Sequence, residues 1–304
     1  MGLILATHID GISLRPVRGF PLKPIIFVIQ LFMSRFSPDY RFASLGSPNN
    51  VWTIAAIHGE VDRITSLHDA LAERIQPGDR IVYFGNYTGY SIESAETIDE
   101  ILSFRRRLLA CGMKDDDIVY LRGAQEDMWN KLLQLQFYTR PIDLFLWMLG
   151  NGMGHTLQAY GIDPHSGIVA AREGVVALTR WTNGLRQLLR EFPGHDAFQS
   201  QQRRAAYTAL PDGRFPLLFV NAGIDPSRPL ESQDEALCWG GENFTGLRAA
   251  YAPFEKVVRG YAADRSGIYV NCVTASLDGG CGFGGNLVAA GMAPDGELFE
   301  LLEA

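Results

Sequence analysis

From residue 51 onward, short apolar runs alternate with amphipathic stretches, and this alternation limits the possible folds more than any other feature of the chain. The runs at 51–57, 80–85 and 117–123 predict buried strands. Between them, residues 62–75 and 94–112 carry apolar side chains at helical spacing. Strands that alternate with helices are typical of βαβ units, so we expect an α/β fold that contains a parallel sheet.

The composition predicts an N-terminal extension followed by one domain. Residues 1–50 carry five Lys or Arg against two Asp, a net charge of +3, although the whole chain has a net charge of −7. We expect the domain at 51–304, with a mostly helical insertion at 128–205. The extension either docks on the acidic body or contacts a membrane surface or a partner, since an apolar stripe flanked by arginines suits a lipid interface.

Charge, cysteine content and hydropathy exclude several classes of protein. A net charge of −7 argues against a nucleic-acid partner, which would require a basic face. The four cysteines are widely spaced, without a CxxC pair, and are expected to be reduced and mostly buried thiols. The longest apolar run, 25–33, is shorter than the roughly 20 residues that span a bilayer. We expect a cytoplasmic protein, peripheral to a membrane only through residues 1–50.

Loops rich in glycine and polar residues follow the predicted strands. In an α/β sheet, functional sites form where strands end and loops begin. The loops are "AAIHG" (55–59), "GNYTGYS" (85–91), "GAQED" (123–127), "NAG" (221–223) and "GY" (260–261). Their similar composition predicts one shared site at the strand ends.

In this order, the loops resemble those of the bacterial and phage-type serine/threonine protein phosphatases of the calcineurin-like metallophosphoesterase superfamily. That family carries GD-x-HG, GD-x-x-DRG, GN-HE, HAG and GH loops. The stretch "LWMLGNGMGHTLQAYG" (146–161) and the glycine-rich stretch 277–297 also resemble family sequences. The resemblance covers residues 51–304 and implies layered β-sheets flanked by helices, with a helical insertion.

The residues that carry chemistry in this family differ here. Its two divalent metals are held by two Asp, two or three His and an Asn. By the resemblance, the corresponding positions are Ala56, His58, Asn86, Ala124, Asn221 and Tyr261. Only His58 is unchanged. Gln125 stands for the general-acid His, Gly89 for the Asp that orients it, and Tyr90 for the arginine that grips phosphate.

These departures predict a degenerate metal and catalytic site. Two dications about 4 Å apart repel each other by roughly 16 kcal/mol at an effective dielectric constant near 20, and anionic ligands must offset this. Both carboxylate ligands are missing. An amide such as Gln125 cannot act as a general acid. Tyr90 lacks the planar guanidinium group with which an arginine binds two phosphate oxygens. We therefore expect no confident catalytic residue and no cofactor. Any metal would be Mn or Fe, held at low occupancy by His58 and Asn86.

Three interpretations follow from the sequence. The first is a pseudophosphatase that acts as a binding, regulatory or scaffold protein for an unidentified protein or phosphorylated ligand. Its candidate cleft residues are His58, Asn86, Gln125, Asn221, Tyr261 and Tyr90. The second is an active metal-dependent phosphoesterase whose altered site uses Glu126, Asp127 or Asp225. The third is a structural protein whose cleft is filled by its own side chains, with Tyr90, Tyr261 and Trp52 as candidates.

The acidic residues also have simpler structural interpretations. Glu126 and Asp127 follow a strand-end loop, where a helix dipole favours acidic side chains. Asp225 precedes Pro226 and is typical of a turn. Asp278 is expected to be a structural hydrogen-bond acceptor.

Overall fold

A computed structural model of the protein describes residues 41–240 and 244–304. The predictions for residues 1–40, including the apolar run 25–33, lie outside the described residues. Residues 41–50 of the predicted extension are described, and they contribute a strand, Phe42–Ser44, which pairs in parallel with Ala205–Tyr207. This end of the predicted extension is therefore part of a sheet.

The described residues contain eleven strands in two mixed sheets. The strands are β1 (Phe42–Ser44), β2 (Val51–Ile54), β3 (Arg80–Tyr83), β4 (Ile118–Tyr120), β5 (Ala205–Tyr207), β6 (Phe215–Val220), β7 (Phe254–Arg259), β8 (Tyr269–Val270), β9 (Thr274–Ser276), β10 (Val288–Met292) and β11 (Leu298–Glu303). One sheet has the order β1-β5-β6-β7-β9-β8, and the other has the order β11-β10-β2-β3-β4. Strands β2, β3 and β4 are parallel, as their alternation with helices predicts.

Helices cover the outer faces and fill most of residues 124–201. The helices are α1 (Val61–Ala72), α2 (Ser94–Ala110), α3 (Ala124–Leu132), α4 (Pro141–Met148), α5 (Gly154–Ala159), α6 (Pro164–Glu173), α7 (Val175–Glu191), α8 (His195–Gln201) and α9 (Ala236–Trp239). None of the helices within 41–240 and 244–304 is long and apolar enough to cross a bilayer.

The two sheets pack face to face across an apolar layer. Val82 and Phe84 from the region of β3 contribute to it, as do Phe219 and Val258 from β6 and β7. Each of these side chains is fully buried, which contributes roughly 1.5–3 kcal/mol per side chain. Strands β2 to β4 are buried on both faces, and this explains why their sequences are continuous apolar runs.

The other face of the parallel strands packs against α1 and α2. Helix α2 buries Ile98, Ile101, Phe104 and Leu108, which recur every three or four residues and therefore form one stripe. This packing leaves the carboxyl ends of the strands as the place where the predicted loops meet.

The cysteine prediction is only partly right. All four thiols are free, and Cys238 and Cys281 are buried as expected. Cys111 and Cys272 are exposed, so the expectation of mostly buried thiols is wrong for them. Cys111 caps the solvent end of α2 and Cys272 lies in the turn between β8 and β9, places that no core side chain covers.

Candidate functional site

The first two strand-end loops are joined by backbone hydrogen bonds. The N–H groups of Ile57 and His58 both donate to the carbonyl oxygen of Asn86, at 3.1 and 2.7 Å. His58 and Asn86 both adopt the left-handed conformation, with φ of 56° and 55°. Non-glycine residues in this conformation store strain that surrounding contacts must sustain, and such residues concentrate at functional sites.

Backbone hydrogen bonds also bring in the loops that follow β6 and β7 in the other sheet. The Ala56 N–H donates to the carbonyl oxygen of Gly260 at 3.0 Å, and the Tyr261 N–H donates to that of Asn221 at 2.9 Å. The side-chain amide of Asn221 donates to the carbonyl oxygen of Phe84 at 2.8 Å. The five predicted loops therefore lie together, as the strand-end argument predicts, at the junction of the two sheets.

A buried carboxylate, that of Glu126, aligns the second and third loops. Its Oε2 accepts the N–H groups of Asn86 and Gly123, at 2.8 and 2.9 Å. Its Oε1 accepts the N–H of Tyr87 at 2.9 Å. Burial raises the pKa of Glu126, and the three backbone donors oppose that shift. Glu126 is the third residue of α3, as its helix-start interpretation requires, but sequence reasoning missed its contacts across the loops.

The His58 side chain lies inside a shell of aromatic rings. Its ring centroid is 5.4 Å from that of Tyr90, 5.5 Å from that of Tyr261 and 5.1 Å from that of Phe283, each edge to face. The residue is 2% exposed. Tyr90 and Tyr261 are candidates from the sequence, whereas Phe283 was missed. The only signal for Phe283 is its position in the glycine-rich stretch 277–297.

Burial keeps the His58 ring neutral. It lowers the pKa of His58 from 6.5 to about 3; the backbone of Thr88 opposes this shift, and the positive charge of Arg265 adds to it. Neither ring nitrogen has a hydrogen-bond partner among the described residues, and the Thr88 backbone lies outside hydrogen-bonding geometry. The ring is thus held by aromatic packing rather than by polar contacts.

The loop between β7 and β8 covers these rings. The guanidinium of Arg265 lies 4.0 Å from the centre of the Phe283 ring, in a cation–π contact. The base of this loop is held by Arg259, whose Nη2 lies 3.2 Å from the Asp264 carboxylate and 2.7 Å from the Ser266 hydroxyl. Arg259 is itself buried, so this clamp is part of the interior.

Gln125 and Gly89, two positions that the sequence resemblance singles out, lie in contact. A Cβ at position 89 would approach Gln125 Cδ to 2.8 Å, and one at Gly152 would approach Gln125 Nε2 to 3.1 Å. The Gln125 amide donates to the carbonyl oxygen of Asn151 at 2.9 Å. The two glycines, with φ of 115° and 102°, leave the space that the glutamine side chain fills.

Trp52 lies elsewhere, so its assignment to the cleft is wrong. Its indole N–H donates to Asp79 at 3.3 Å, and its ring contacts that of Phe299 at 5.5 Å. Asp79 directly precedes β3, at the amino ends of the parallel strands, opposite the site. Trp52 lies near the beginning of strand β2, and His58 lies beyond its end. The length of the strand therefore separates two residues that the prediction placed in one cleft.

The other acidic candidates are engaged in structural contacts. Asp127 accepts the indole N–H of Trp239 at 2.7 Å, and Asp225 accepts the N–H of Ser227 at 2.9 Å in a turn. Asp278 accepts the N–H groups of Ala262 and Gly280, each at 2.9 Å. These contacts agree with the structural interpretations of all three residues.

The residues at the site do not fit a pair of divalent metals. Asn86 Oδ1 already accepts the Gln125 N–H at 3.1 Å, and Asn221 points its amide N–H₂ group at a carbonyl. His58 is a neutral ring enclosed by aromatic side chains. Across residues 41–240 and 244–304, no three His, Cys, Asp or Glu side chains form a group that could hold a metal ion.

Comparison with solved structures identifies the fold. No protein-family model and no curated protein matches the sequence. A structure described as that of a candidate diadenosine tetraphosphatase aligns with a TM-score of 0.50 and 17% identity, covering 86% of this chain and 98% of that one. A serine/threonine phosphatase from Saccharomyces cerevisiae, with similarity to human phosphatase PP5, aligns with a TM-score of 0.52 and 13% identity, covering 94% and 90%. At these identities the likeness concerns the fold alone, and it confirms the expected fold class.

Proposed function

We propose that this chain, which has the calcineurin-like metallophosphoesterase fold, does not hydrolyse phosphoesters through two metals and acts instead as a binding, regulatory or scaffold protein. One observation carries the proposal. At the strand ends, the neutral ring of His58 is enclosed by Tyr90, Tyr261 and Phe283. Side chains thus occupy the space beside the one retained ligand position.

The chemistry of the remaining side chains supports this proposal. Phosphoryl transfer requires positive charge at the transferred group and a positioned nucleophile. Asn86, Asn221 and Gln125 are neutral amides, and burial raises the pKa of both Tyr90 and Tyr261, which favours their neutral phenols. None of these groups can replace a divalent cation or supply a proton near neutral pH.

The closed shell also directs the search for a ligand away from the cleft. A phosphorylated ligand in the cleft would have to displace the aromatic side chains, including Tyr90 and Tyr261. The guanidinium of Arg265, which lies over these rings, is engaged in its cation–π contact with Phe283. We therefore favour a protein partner that contacts the outer surface. The hydrogen bonds of Glu126, Asp127 and Asp225 support this proposal over an active phosphoesterase whose site uses these carboxylates.

Metal analysis combined with an activity assay tests the proposal. The purified protein is subjected to elemental analysis, and turnover of p-nitrophenyl phosphate is measured with added Mn²⁺ beside a known metal-dependent phosphatase. We expect neither stoichiometric metal nor turnover above the protein-free rate. Stoichiometric Mn or Fe, or turnover that a chelator abolishes, would overturn the proposal.

A further inference from the structure

A small, partly open cavity of about 20 Å³ lies directly behind the strand-end loops. It is lined by Glu126 of the third loop and by side chains of α3, α5 and α8, among them Trp129, Thr156 and Gln199. A cavity of this kind needs roughly 10–15 Å³ to hold one water molecule. The space is therefore large enough for water and too small for a metabolite.

Three polar atoms on the cavity walls lack a hydrogen-bond partner among the described residues. They are Trp129 Nε1, Thr156 Oγ1 and Gln199 Nε2. Trp129 is 6% exposed and Thr156 is 2% exposed, so bulk water does not reach them. Buried polar groups without a partner each cost about 1–3 kcal/mol, and one small cavity lined by three of them requires an explanation.

Tyr160, His195 and the Gln199 carbonyl oxygen, which also line the walls, already have partners. The Tyr160 hydroxyl and His195 Nδ1 lie 2.8 Å apart, and His195 Nε2 lies 3.2 Å from the Asp99 carboxylate. Gln199 Oε1 accepts an amide N–H from Gln202 at 3.1 Å, which leaves its N–H₂ group unpaired within the described part of the chain. Within the described part of the chain, the fully buried unpaired side-chain atoms among the lining residues are those of Trp129, Thr156 and Gln199.

The chemistry of the walls selects the occupant. Trp129 Nε1 and Gln199 Nε2 are donors only, so they disfavour a cation. The carboxylate of Glu126 disfavours an anion. A molecule that accepts from the two N–H groups and donates to Thr156 and Glu126 gives each of these four side chains a hydrogen-bond partner. Water has this combination of two donors and two acceptors.

We propose that the cavity is a hydration site in which at least one ordered water molecule bridges Trp129, Thr156 and Gln199 to Glu126. The water links the carboxylate that aligns the strand-end loops to helices α3, α5 and α8. It supplies the missing partners of these three side chains and fastens the helical region to the site. This hydration site is independent of whether the protein hydrolyses phosphoesters.

A high-resolution crystal structure of the full chain, combined with the Thr156→Val variant, tests the hydration site. We expect density for water within hydrogen-bond distance of Trp129 Nε1 and Thr156 Oγ1. Valine has the shape of threonine without the hydroxyl. In a hydrated cavity this variant loses a hydrogen bond, and the folding equilibrium constant falls roughly fivefold. In a dry cavity it removes an unpaired hydroxyl and leaves stability unchanged or raised.

Thr182→Val is the matched control. Thr182 is also fully buried, but its hydroxyl lies 3.2 Å from both Thr179 O and Gln136 Oε1. Its loss of stability calibrates the assay, whatever occupies the cavity. An empty cavity in the crystal, density that refines as anything other than water, or a Thr156→Val variant at least as stable as the parent would each overturn the proposal.

Discussion

Gly282 lies so close to His58 that a Cβ at position 282 would come within 2.4 Å of His58 Cβ. Gly282 also has φ of 79°, a backbone conformation that residues other than glycine rarely adopt. The C-terminal loop can therefore bring Phe283 onto the His58 ring only with glycine at this position. The closure of the site depends on this approach.

The Gly282→Ala variant is expected to be strongly destabilised. It combines the cost of a left-handed alanine, about 1 kcal/mol, with overpacking against His58, about 1–3 kcal/mol. Denaturant unfolding measures the loss. Gly284→Ala is the control, since Gly284 has φ of 90° in the same loop, but a Cβ there would meet no atom of the described residues within 4 Å. Equal losses in the two variants would contradict the close approach.

The low pKa of His58 predicts acid-sensitive stability. The pKa is 6.5 in the unfolded chain and about 3 in the folded protein, so the unfolded state binds the extra proton between these values. The contribution of His58 is fully present above pH 6.5 and is lost as the pH falls toward 3, with a slope of up to ~1.4 kcal/mol per pH unit. The His58→Asn variant, which tolerates the left-handed conformation, should lose this part of the slope.

Unfolding free energies of both proteins at several pH values measure the difference in slope. Carboxylates with raised pKa, such as Glu126 and Asp278, act equally in the two proteins and cancel. His165→Asn is the control, because the His165 side chain is exposed to water in the folded and unfolded chain alike. Identical slopes for the parent and His58→Asn would refute a neutral buried ring.

The Glu126→Gln variant should be destabilised by about 1.5–3 kcal/mol, even though glutamine has the same shape. One carboxylate oxygen becomes an N–H₂ group, which then faces the N–H of Tyr87 or those of Asn86 and Gly123. Thermal unfolding near neutral pH measures the loss. The neighbouring Asp127→Asn variant can still accept the Trp239 N–H through its amide oxygen and should lose less than ~1 kcal/mol. A milder effect at position 126 than at 127 would contradict the anchoring role.

Introducing a carboxylate at each of two buried positions should create a metal response. Ala56 and Asn86 are buried, so Ala56→Asp combined with Asn86→Asp places two uncompensated charges in the interior and lowers the melting temperature. Added Mn²⁺ should reverse this, by about 2.7 kcal/mol at a hundredfold excess over Kd. The parent should show no response. Asn86→Asp combined with Ala55→Asp, at the adjacent buried position, is the control. A response of equal size in parent or control would contradict the prediction.

Local patterns in the sequence predict the elements well. The predicted strands at 51–57, 80–85 and 117–123 contain β2, β3 and β4, and the predicted helix at 94–112 contains α2. The strand ends are overestimated, because apolar residues continue into the loops that run on to Asn86 and His58. The periodicity of side chains is a local property, and for this reason it can be read without knowledge of the fold.

The environment of the site is only partly predictable. The order of the loops correctly predicts that His58, Asn86, Asn221 and Tyr261 lie together, because the strands that precede them in both sheets end at the junction of the sheets. Trp52 is wrongly assigned and Phe283 is missed, because ring contacts depend on the direction of each side chain and on remote segments. The role of Glu126 is likewise hidden, since its donors lie in two different loops.

By itself, the sequence determined the strand–helix order and the position of the loops. Both follow from residue types and short-range spacing. Only the tertiary structure decided what surrounds the site: the Tyr90, Tyr261 and Phe283 rings around His58, and the Glu126 carboxylate across three backbone donors. The reason is physical. Burial and packing arise between segments far apart in the chain, and no local pattern records which side chain fills a given space.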